Sequence, residues 1–212
     1  MKNYFLFLLF TSIMNSIVVG QVDKNANLKS PADSIIKADS IIKDRDDNRY
    51  TIRIMPDNKL WMTNNLNIKI PDTYCYENIQ QNCDKYGKLY TWKSAGEGCN
   101  LLGGGWRLPT NADWENLVKQ FGGIRENSGD SGKTAYKAMI PGGSSQFKLL
   151  FGGGRDLSGT YARVEAHGFY WTATETTDST AWFYNFGRNG AMANRHSDGE
   201  KVSAFTVRCV KD

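Results

Sequence analysis

Four cysteines constrain the fold of this 212-residue chain more than any other feature of its sequence. An even number of cysteines in an exported chain favours disulfides over free thiols, and four cysteines allow three pairings. The cysteines are Cys75, Cys83, Cys99 and Cys209. The short spacing between Cys75 and Cys83 suits a local loop, which leaves Cys99 to pair with Cys209. A bridge that closes a loop of about 110 residues stabilises a fold by about 4–5 kcal/mol in the chain-entropy model.

A zinc site is the alternative use for these cysteines. Structural zinc sites use closely spaced ligand pairs such as Cys-x2-Cys. The chain has no such pair, and its two histidines, His167 and His196, are far apart in sequence. Disulfides are therefore our prediction, and we assign no metal ligand.

The first 20 residues have the organisation of a secretory signal peptide. Lys2 gives a basic start, residues 4–10 are apolar, and small residues at Val18 and Gly20 precede the expected cleavage before Gln21. An uncleaved membrane anchor is the alternative, but a spanning helix needs about 20 mostly apolar residues and polar residues interrupt this segment. No cysteine for lipid attachment follows the apolar run. We expect a secreted, periplasmic or cell-surface protein.

The charge of the mature chain excludes some classes of partner. Without Lys2, 25 basic and 22 acidic residues leave a net charge of +3, and no segment concentrates lysine or arginine. This balance predicts no binding to nucleic acid or to acidic lipid. No stretch after the signal peptide is apolar enough to predict a membrane span.

Residues 21–43 are polar and contain a six-residue duplication, residues 32–37 followed by residues 38–43. Two copies are too few for a solenoid, so we interpret this segment as a polar tether with room for a helical turn. The folded domain is predicted to occupy residues 44–212, which is ample length for a single core.

The clearest helix is predicted over residues 111–121. Thr110 can cap its first turn, with Asp113 completing a capping box, and Gly122-Gly123 can end it in the left-handed conformation. The apolar face repeats at helical spacing and comprises Trp114, Leu117, Val118 and Phe121.

Strand patterns flank this helix. Residues 49–55 alternate apolar and polar side chains, and residues 60–62 follow as a partner strand after a turn at Pro56-Asp57-Asn58. Asn189-Gly190 predicts a hairpin. Later strand candidates are residues 147–151, 168–174, 181–186, 191–195 and 204–210. The sequence therefore predicts an α+β domain with few helices, short antiparallel strands and long irregular glycine-rich loops.

Three sequence blocks carry a family resemblance. They are residues 59–67 (KLWMTNNLN), residues 74–76 with 82–92 (YCY, NCDKYGKLYTW), and residues 105–110 with Trp114-Glu115 and 205–210 (GWRLPT, WE, FTVRCV). In order and spacing they resemble the Fibrobacter succinogenes major paralogous domain family, which is found in exported proteins of Fibrobacter and Bacteroidetes-type bacteria. The chain departs from that pattern after Cys99, where Asn100 and an inserted Leu-Leu-Gly-Gly replace the usual Cys-Pro.

A second resemblance bears on the fold. Residues 107–115 (RLPTNADWE) are similar to the formylglycine-generating and sulfatase-modifying enzymes, which have a C-type-lectin-like fold. The resemblance implies such a fold here, with short twisted strands, long loops and termini that come together.

Neither resemblance carries an activity to this chain, because a fold does not define a function. Formylglycine chemistry resembles copper–thiolate catalysis by two cysteines late in the chain, and here Cys209 is the only cysteine after Cys99. His167 and His196 stand without a recognisable nucleophile motif. Calcium-dependent lectins carry Glu-Pro-Asn or Gln-Pro-Asp with Trp-Asn-Asp, and none of these motifs occurs.

We therefore expect a protein that is not an enzyme and has no cofactor, with a formylglycine-type oxidoreductase and a calcium-dependent lectin as alternatives. A structural calcium ion stays open, because several loop carboxylates could supply oxygen ligands. These carboxylates are Asp156, Glu165, Glu175, Asp178 and Asp198.

Aromatic residues late in the chain could bind sugars or a protein partner where they are exposed. Alternation along the strand predicts instead that most of them are core; they are Trp171, Trp182, Phe183, Tyr184 and Phe186. For an exposed ligand surface we select Tyr161, Arg163, Tyr170 and Arg195. The predicted function is an exported, non-catalytic binding or surface-display module for an unidentified extracellular protein or glycan.

Overall fold

The computed structural model describes residues 39–212, so the predicted signal peptide and residues 21–38 of the predicted tether lie outside the described residues. Within this range the chain forms four α-helices and eleven short, mostly antiparallel strands, which confirms the α+β class. The helices are α1 (Gln80–Tyr86), α2 (Trp92–Asn100), α3 (Asn111–Lys119) and α4 (Lys133–Met139). The strands are β1 (Ser40–Lys43), β2 (Arg49–Ile54), β3 (Leu60–Met62), β4 (Thr73–Tyr74), β5 (Leu89–Tyr90), β6 (Gly152–Arg155), β7 (Tyr161–Val164), β8 (His167–Glu175), β9 (Thr180–Gly187), β10 (Met192–Glu200) and β11 (Val210–Lys211).

A four-stranded sheet, in the order β1-β2-β3-β11, has the first and the last strand of the described chain at its two edges. The predicted turn between β2 and β3 is present, and the amide of Asn58 donates to the carbonyl of Met55 at 2.9 Å. β1 lies in the segment that the sequence analysis places in the tether. It pairs with β2, with Ile42 opposite Tyr50, because Ile42 packs on the apolar cluster that contains Tyr50. The folded domain therefore begins no later than Ser40.

A five-stranded sheet, in the order β10-β9-β8-β6-β7, forms the other half of the domain. β8, β9 and β10 are successive antiparallel strands, and the hairpin predicted at Asn189-Gly190 joins the last two through residues 188–191. β6 runs parallel to β8 and antiparallel to β7. Gly153 makes this close approach feasible, because its φ is +66° and a Cβ there would lie 2.6 Å from the carbonyl oxygen of Ala162.

Helix α3 forms where the sequence predicts it. The Thr110 side chain accepts a hydrogen bond from the amide of Asp113, and the Asp113 carboxylate accepts one from the amide of Thr110, so the capping box is complete. The helix ends at Lys119, and Gly122 and Gly123 follow with φ of +116° and +87°. Helices α1, α2 and α4 are not predicted by the sequence analysis: α1 and α4 have only seven residues each, and α2, although as long as α3, contains Gly96 and Gly98.

The strand predicted over residues 147–151 is wrong. Lys148 has a φ of +57°, which breaks extended structure, and the carbonyls of Phe147 and Lys148 accept hydrogen bonds from the buried guanidinium of Arg208 at 3.1 and 2.8 Å. The candidate over residues 204–210 is a strand only in part: isolated bridges such as Tyr90 to Phe205 precede β11.

Two apolar clusters form the core. Trp114 lies within the larger one, where its ring centroid is 5.2 Å from that of Trp61 and 5.3 Å from that of Tyr184. The second cluster contains the paired Cys99 and Cys209. Most of the late aromatic residues are core, as predicted: Trp171, Phe183, Tyr184 and Phe186 are buried, and Trp182 is half-buried.

Candidate ligand-binding groove

An open groove with a volume of about 630 Å³ lies within residues 39–212. We name it the Trp92–Arg155 groove. It is lined by Asp72, Tyr74, Thr91, Trp92, Lys93, Arg155, Leu157, Asp178, Lys201 and Val202. Its walls come from β4, the start of α2, the end of β6, the turn between β8 and β9, and the turn after β10, so the tertiary fold assembles it from five parts of the chain.

Arg155 lies across the aromatic part of this groove. Its guanidinium carbon is 4.2 Å from the ring centroid of Tyr74 and 5.9 Å from that of Tyr161, a cation–π arrangement. Its backbone is held on both sides: it pairs with Tyr161 in β7 and exchanges two hydrogen bonds with Ala204, of 2.9 and 2.7 Å. The ion pairs formed among residues 39–212 do not include Arg155. The guanidinium of Arg155 is therefore held in a fixed orientation although it has no carboxylate partner.

Lys201 is engaged within the protein. Its Nζ donates to the Glu175 carboxylate at 2.6 Å and to the carbonyls of Thr177 and Asp178 at 3.0 and 2.9 Å, and it lies 4.6 Å from the Trp92 ring centroid. These contacts use its three donors. The Trp92 indole N–H donates to the carbonyl of Thr172 at 2.8 Å, so this ring is also fixed.

Two aliphatic side chains in the groove face solvent: Leu157 is 65% exposed and Val202 is 61% exposed. Each stands two residues from the antiparallel bridge between Arg155 and Ala204, and both lie at the same end of that bridge. Leu157 is presented by a turn in which the Asp156 carboxylate accepts hydrogen bonds from the amides of Ser158 and Thr160, both at 2.9 Å. Exposed apolar side chains grouped in a cavity are typical of a binding surface.

The residues selected from the sequence as a ligand surface do not form one site. Tyr161 belongs to the edge of the groove, where it packs against Arg155 and against Tyr76, whose ring centroid is 5.3 Å away. Arg163 is exposed on β7 and lies 3.4 Å from His167 Nε2. The other two selected residues lie elsewhere.

Tyr170 was predicted to be exposed, and that prediction is wrong. Its side chain is fully buried, and its hydroxyl donates to the carbonyl of Leu150 and accepts from the amide of Leu150, both at 2.8 Å. The reason is strand alternation: Tyr170 lies on the face of β8 that packs against Trp114 and Phe186.

Arg195 lies at a separate, smaller cavity of about 360 Å³. Its guanidinium is 4.8 Å from the Trp182 ring centroid and pairs with the Glu115 carboxylate at 3.1 Å. His196 lines the same cavity, and burial lowers its pKa. Because Glu115 already satisfies Arg195, this cavity has less to offer a charged ligand than the Trp92–Arg155 groove.

Sequence reasoning missed most of the groove. Arg155, Leu157, Lys201 and Val202 belong to no motif, and only Asp156, Gly159 and the glycines of β6 mark a turn in this region. Tyr74, Thr91 and Trp92 are the exceptions, since they lie in one of the blocks that carry the family resemblance. To predict the groove from the sequence, one would have needed to know that β6 pairs with residue 204.

The disulfides have the pairing that the spacing predicts. Cys75 is bonded to Cys83, and Cys99 is bonded to Cys209. The first bridge follows Tyr74 directly in the chain and thus supports one wall of the groove. Lys88 Nζ lies 3.8 Å from Cys75 Sγ and 3.6 Å from Cys83 Sγ, and burial lowers its pKa. No cysteine of the chain is left as a free thiol.

The carboxylates considered for calcium do not converge, and residues 39–212 contain no group of three or more His, Cys, Asp or Glu side chains arranged to hold a metal ion. Glu165 pairs with Lys85 at 2.7 Å, Glu175 pairs with Lys201, and Asp156 is used in its own turn. Asp178 and Asp198 line two different cavities.

The family can be assigned from a comparison with known protein families. Residues 54–211 match the model of the Fibrobacter succinogenes major domain. The chain belongs to that family. No curated protein and no solved structure matches the chain, so the C-type-lectin-like fold implied by the second resemblance stays a prediction. Between residues 39 and 212, none of the helices has the length and apolar character needed to cross a membrane.

Proposed function

We propose that this member of the Fibrobacter succinogenes major domain family is an exported, non-catalytic binding or surface-display module, and that the Trp92–Arg155 groove is its ligand-binding surface. The ligand is an extracellular protein or glycan. The observation that carries the proposal is the combination of an oriented, carboxylate-free Arg155 with exposed Leu157 and Val202 in one cavity of about 630 Å³. Convergent polar groups within an apolar surface are typical of ligand sites.

Export is supported by the two disulfides, because such bridges persist in oxidising compartments. The protein would reside at the cell surface, in the periplasm or in the medium. The signal peptide predicted over residues 1–20 is part of this proposal.

The absence of catalysis is part of the proposal too. A formylglycine-type oxidoreductase needs reactive thiols, whereas Cys209 is fully buried and bonded to Cys99. A calcium-dependent lectin needs convergent carboxylates, whereas Glu165 and Glu175 each pair with a lysine. These contacts favour binding over either alternative.

The proposal is tested with a matched pair of exposed leucines. Leu157 lines the groove, whereas Leu101, which is 45% exposed, lies at the end of α2 and does not line it. Fluorescently labelled wild type, Leu157→Glu and Leu101→Glu are titrated onto native cell envelopes and onto a glycan array. We expect saturable binding by the wild type and by Leu101→Glu, and at least tenfold weaker binding by Leu157→Glu.

Surface substitutions of this kind change stability little, so all three proteins should share one melting temperature. Equal binding by all three proteins would remove the groove from the proposal. A lack of saturable binding to envelopes and glycans would contradict the binding function itself.

A further inference from the structure

We infer that the Trp92–Arg155 groove recognises an extended peptide segment of a partner protein, in which an Asp or Glu side chain is flanked by an aliphatic side chain. The inference rests on the proposed function and names the class of its ligand. In this complex Arg155 binds the carboxylate, and Leu157 and Val202 contact the aliphatic side chain.

The first argument is the state of the three cations that line the groove. Lys201 has its donors occupied by Glu175 and two carbonyls, and Lys93 lies 3.8 Å from the Glu97 carboxylate. Arg155 takes part in none of the ion pairs of residues 39–212. It is therefore the groove cation that is held by the fold and takes part in no ion pair, whereas Lys93 is exposed and forms only a surface pair with Glu97.

The second argument is the orientation of Arg155. A planar guanidinium matches the two oxygens of a carboxylate, and less conformational entropy is lost on binding when the fork is already held. Tyr74, 4.2 Å from the guanidinium carbon, holds its plane, and the paired backbone of Ala204 fixes its base. Tyr74 is itself followed by the Cys75–Cys83 bridge.

The third argument is the charge of the groove wall. Asp72 and Asp178 line the same cavity as Arg155. Their carboxylates would repel a polyanion such as a sulfated polysaccharide or a phosphorylated segment, whereas a single carboxylate can face Arg155. The groove therefore favours a monoanionic group over a densely charged ligand.

The fourth argument separates a peptide from a sugar. Neutral sugars stack on open aromatic faces, but the rings of Tyr74 and Trp92 already carry Arg155 and Lys201 on their faces. The exposed contact surface consists instead of aliphatic side chains: Leu157 and Val202 are two of the five large hydrophobic residues that are exposed in the described chain. Exposed aliphatic side chains next to an arginine fit a peptide with neighbouring apolar and acidic side chains.

The test uses a phage-displayed library of random linear 12-residue peptides, selected on the purified, disulfide-bonded wild-type protein. Enriched peptides are synthesised and titrated by fluorescence anisotropy against wild type, Arg155→Met, Arg155→Lys and the control Arg125→Met. Arg125 is an exposed arginine that does not line the groove. All variants are checked for an unchanged melting temperature.

We expect enriched peptides to carry Asp or Glu next to Leu, Ile or Val, and their affinity to fall as salt rises. Arg155→Met should weaken binding about tenfold or more, because a charge-assisted bidentate contact is lost. The affinity of Arg155→Lys should lie between those of the wild type and Arg155→Met, because lysine keeps the charge but lacks the planar guanidinium. Arg125→Met should bind as the wild type does.

Selection of no peptide, selection of peptides without acidic residues, or equal affinity for Arg155→Met would each overturn the inference. The same proteins are applied to an array of neutral and uronic-acid oligosaccharides. Arg155-dependent binding to those sugars alone would make the ligand a glycan; the proposed function would then stand while the peptide inference fails. If Leu157→Glu also leaves envelope binding unchanged, the groove is removed from the proposed function as well, and a lack of any saturable binding would contradict that function itself.

Discussion

The guanidinium of Arg208 and the side-chain oxygen of Asn65 form a buried hydrogen bond of 2.6 Å, although 143 positions separate the two residues in the chain. Arg208 is fully buried, and its other partners are the carbonyls of Met62, Phe147 and Lys148. Burial lowers the pKa of Arg208 from its ordinary value. One side chain thus links residues 62–65 and residues 147–148 to the last segment of the chain.

Arg208→Met should be strongly destabilising. The substitution keeps much of the apolar volume but leaves Asn65 and three carbonyls without their donor, and each unsatisfied buried group costs about 1–3 kcal/mol. We expect the free energy of unfolding in urea to fall by about 3–5 kcal/mol. The exposed Arg125→Met is the control and should change stability by less than about 0.5 kcal/mol. A loss below about 1 kcal/mol for Arg208→Met would contradict this account of the buried contacts.

Asp113 should make stability depend on pH. Burial by itself would raise the pKa of Asp113, but hydrogen bonds from Arg107, Thr110 and Lys59 outweigh it and hold the pKa well below the ordinary value of 3.8. A carboxyl whose pKa is depressed in the folded state contributes stability above its unfolded pKa, and that contribution is lost as the pH falls through the folded value. The protein should therefore lose stability progressively below about pH 4.

Asp113→Asn measures this contribution. At pH 7 it should lower the free energy of unfolding by about 2 kcal/mol, because it removes the ion pairs with Arg107 and Lys59 and replaces a charged acceptor in the capping box of α3 by a neutral one. The difference from the wild type should shrink as the pH is lowered from 5 to 2. A constant difference across that range would show that the charge of Asp113 is not what stabilises the helix start.

The two disulfides should differ in their contribution to stability. Cys99 and Cys209 are 110 positions apart, whereas Cys75 and Cys83 are 8 positions apart. The chain-entropy model gives about 4–5 kcal/mol for the long loop and about 2–3 kcal/mol for the short one. The double variant Cys99→Ala/Cys209→Ala should accordingly unfold at a lower urea concentration than Cys75→Ala/Cys83→Ala. The reverse order would show that loop length does not govern these bridges.

The same bridges should differ in their rate of reduction. Cys75 is half-buried, whereas Cys99 and Cys209 are both fully buried. Lys88, with its ammonium within 4 Å of both sulfurs of the short bridge, would also stabilise a departing thiolate. Timed alkylation in dithiothreitol, followed by peptide mass spectrometry, should label Cys75 and Cys83 before the other pair. In Lys88→Met the short bridge should be reduced more slowly, while reduction of the long bridge should be unaffected; an unchanged rate would remove Lys88 from this explanation.

Two glycines of helix α2 offer a matched comparison. A Cβ at Gly98 would lie 2.8 Å from Leu66 Cδ2, whereas a Cβ at Gly96 would meet no atom within 4 Å. Gly98→Ala should therefore lower the free energy of unfolding by about 1–3 kcal/mol through overpacking. Gly96→Ala should raise it by about 0.5–1 kcal/mol, because alanine loses less backbone entropy in a helix. Equal effects of the two substitutions would mean that Leu66 relaxes without cost.

The sequence by itself determined the features that depend on near neighbours in the chain. Helix α3 follows from Thr110 and Asp113 at its start and from the spacing of Trp114 and Leu117, since these contacts span one or two turns. The β9–β10 hairpin follows from Asn189-Gly190 in the same way. The disulfide pairing followed because the short spacing of two cysteines assigned one bridge and left the remaining two cysteines for the second bridge. The family could be recognised because rare residues stand at fixed intervals in the sequence.

The tertiary structure decided what depends on contacts between distant segments. The sequence pattern of residues 147–151 is that of a strand, yet the Arg208 guanidinium binds their carbonyls and a strand does not form. Tyr170 was selected for a surface but lies in the core, because the register of β8 places it against Trp114. The groove exists only because Arg155 pairs with Ala204 and stacks on Tyr74, contacts that no local pattern encodes. Local propensity reflects interactions between neighbours along the chain, whereas the binding surface depends on packing between segments that are tens of residues apart.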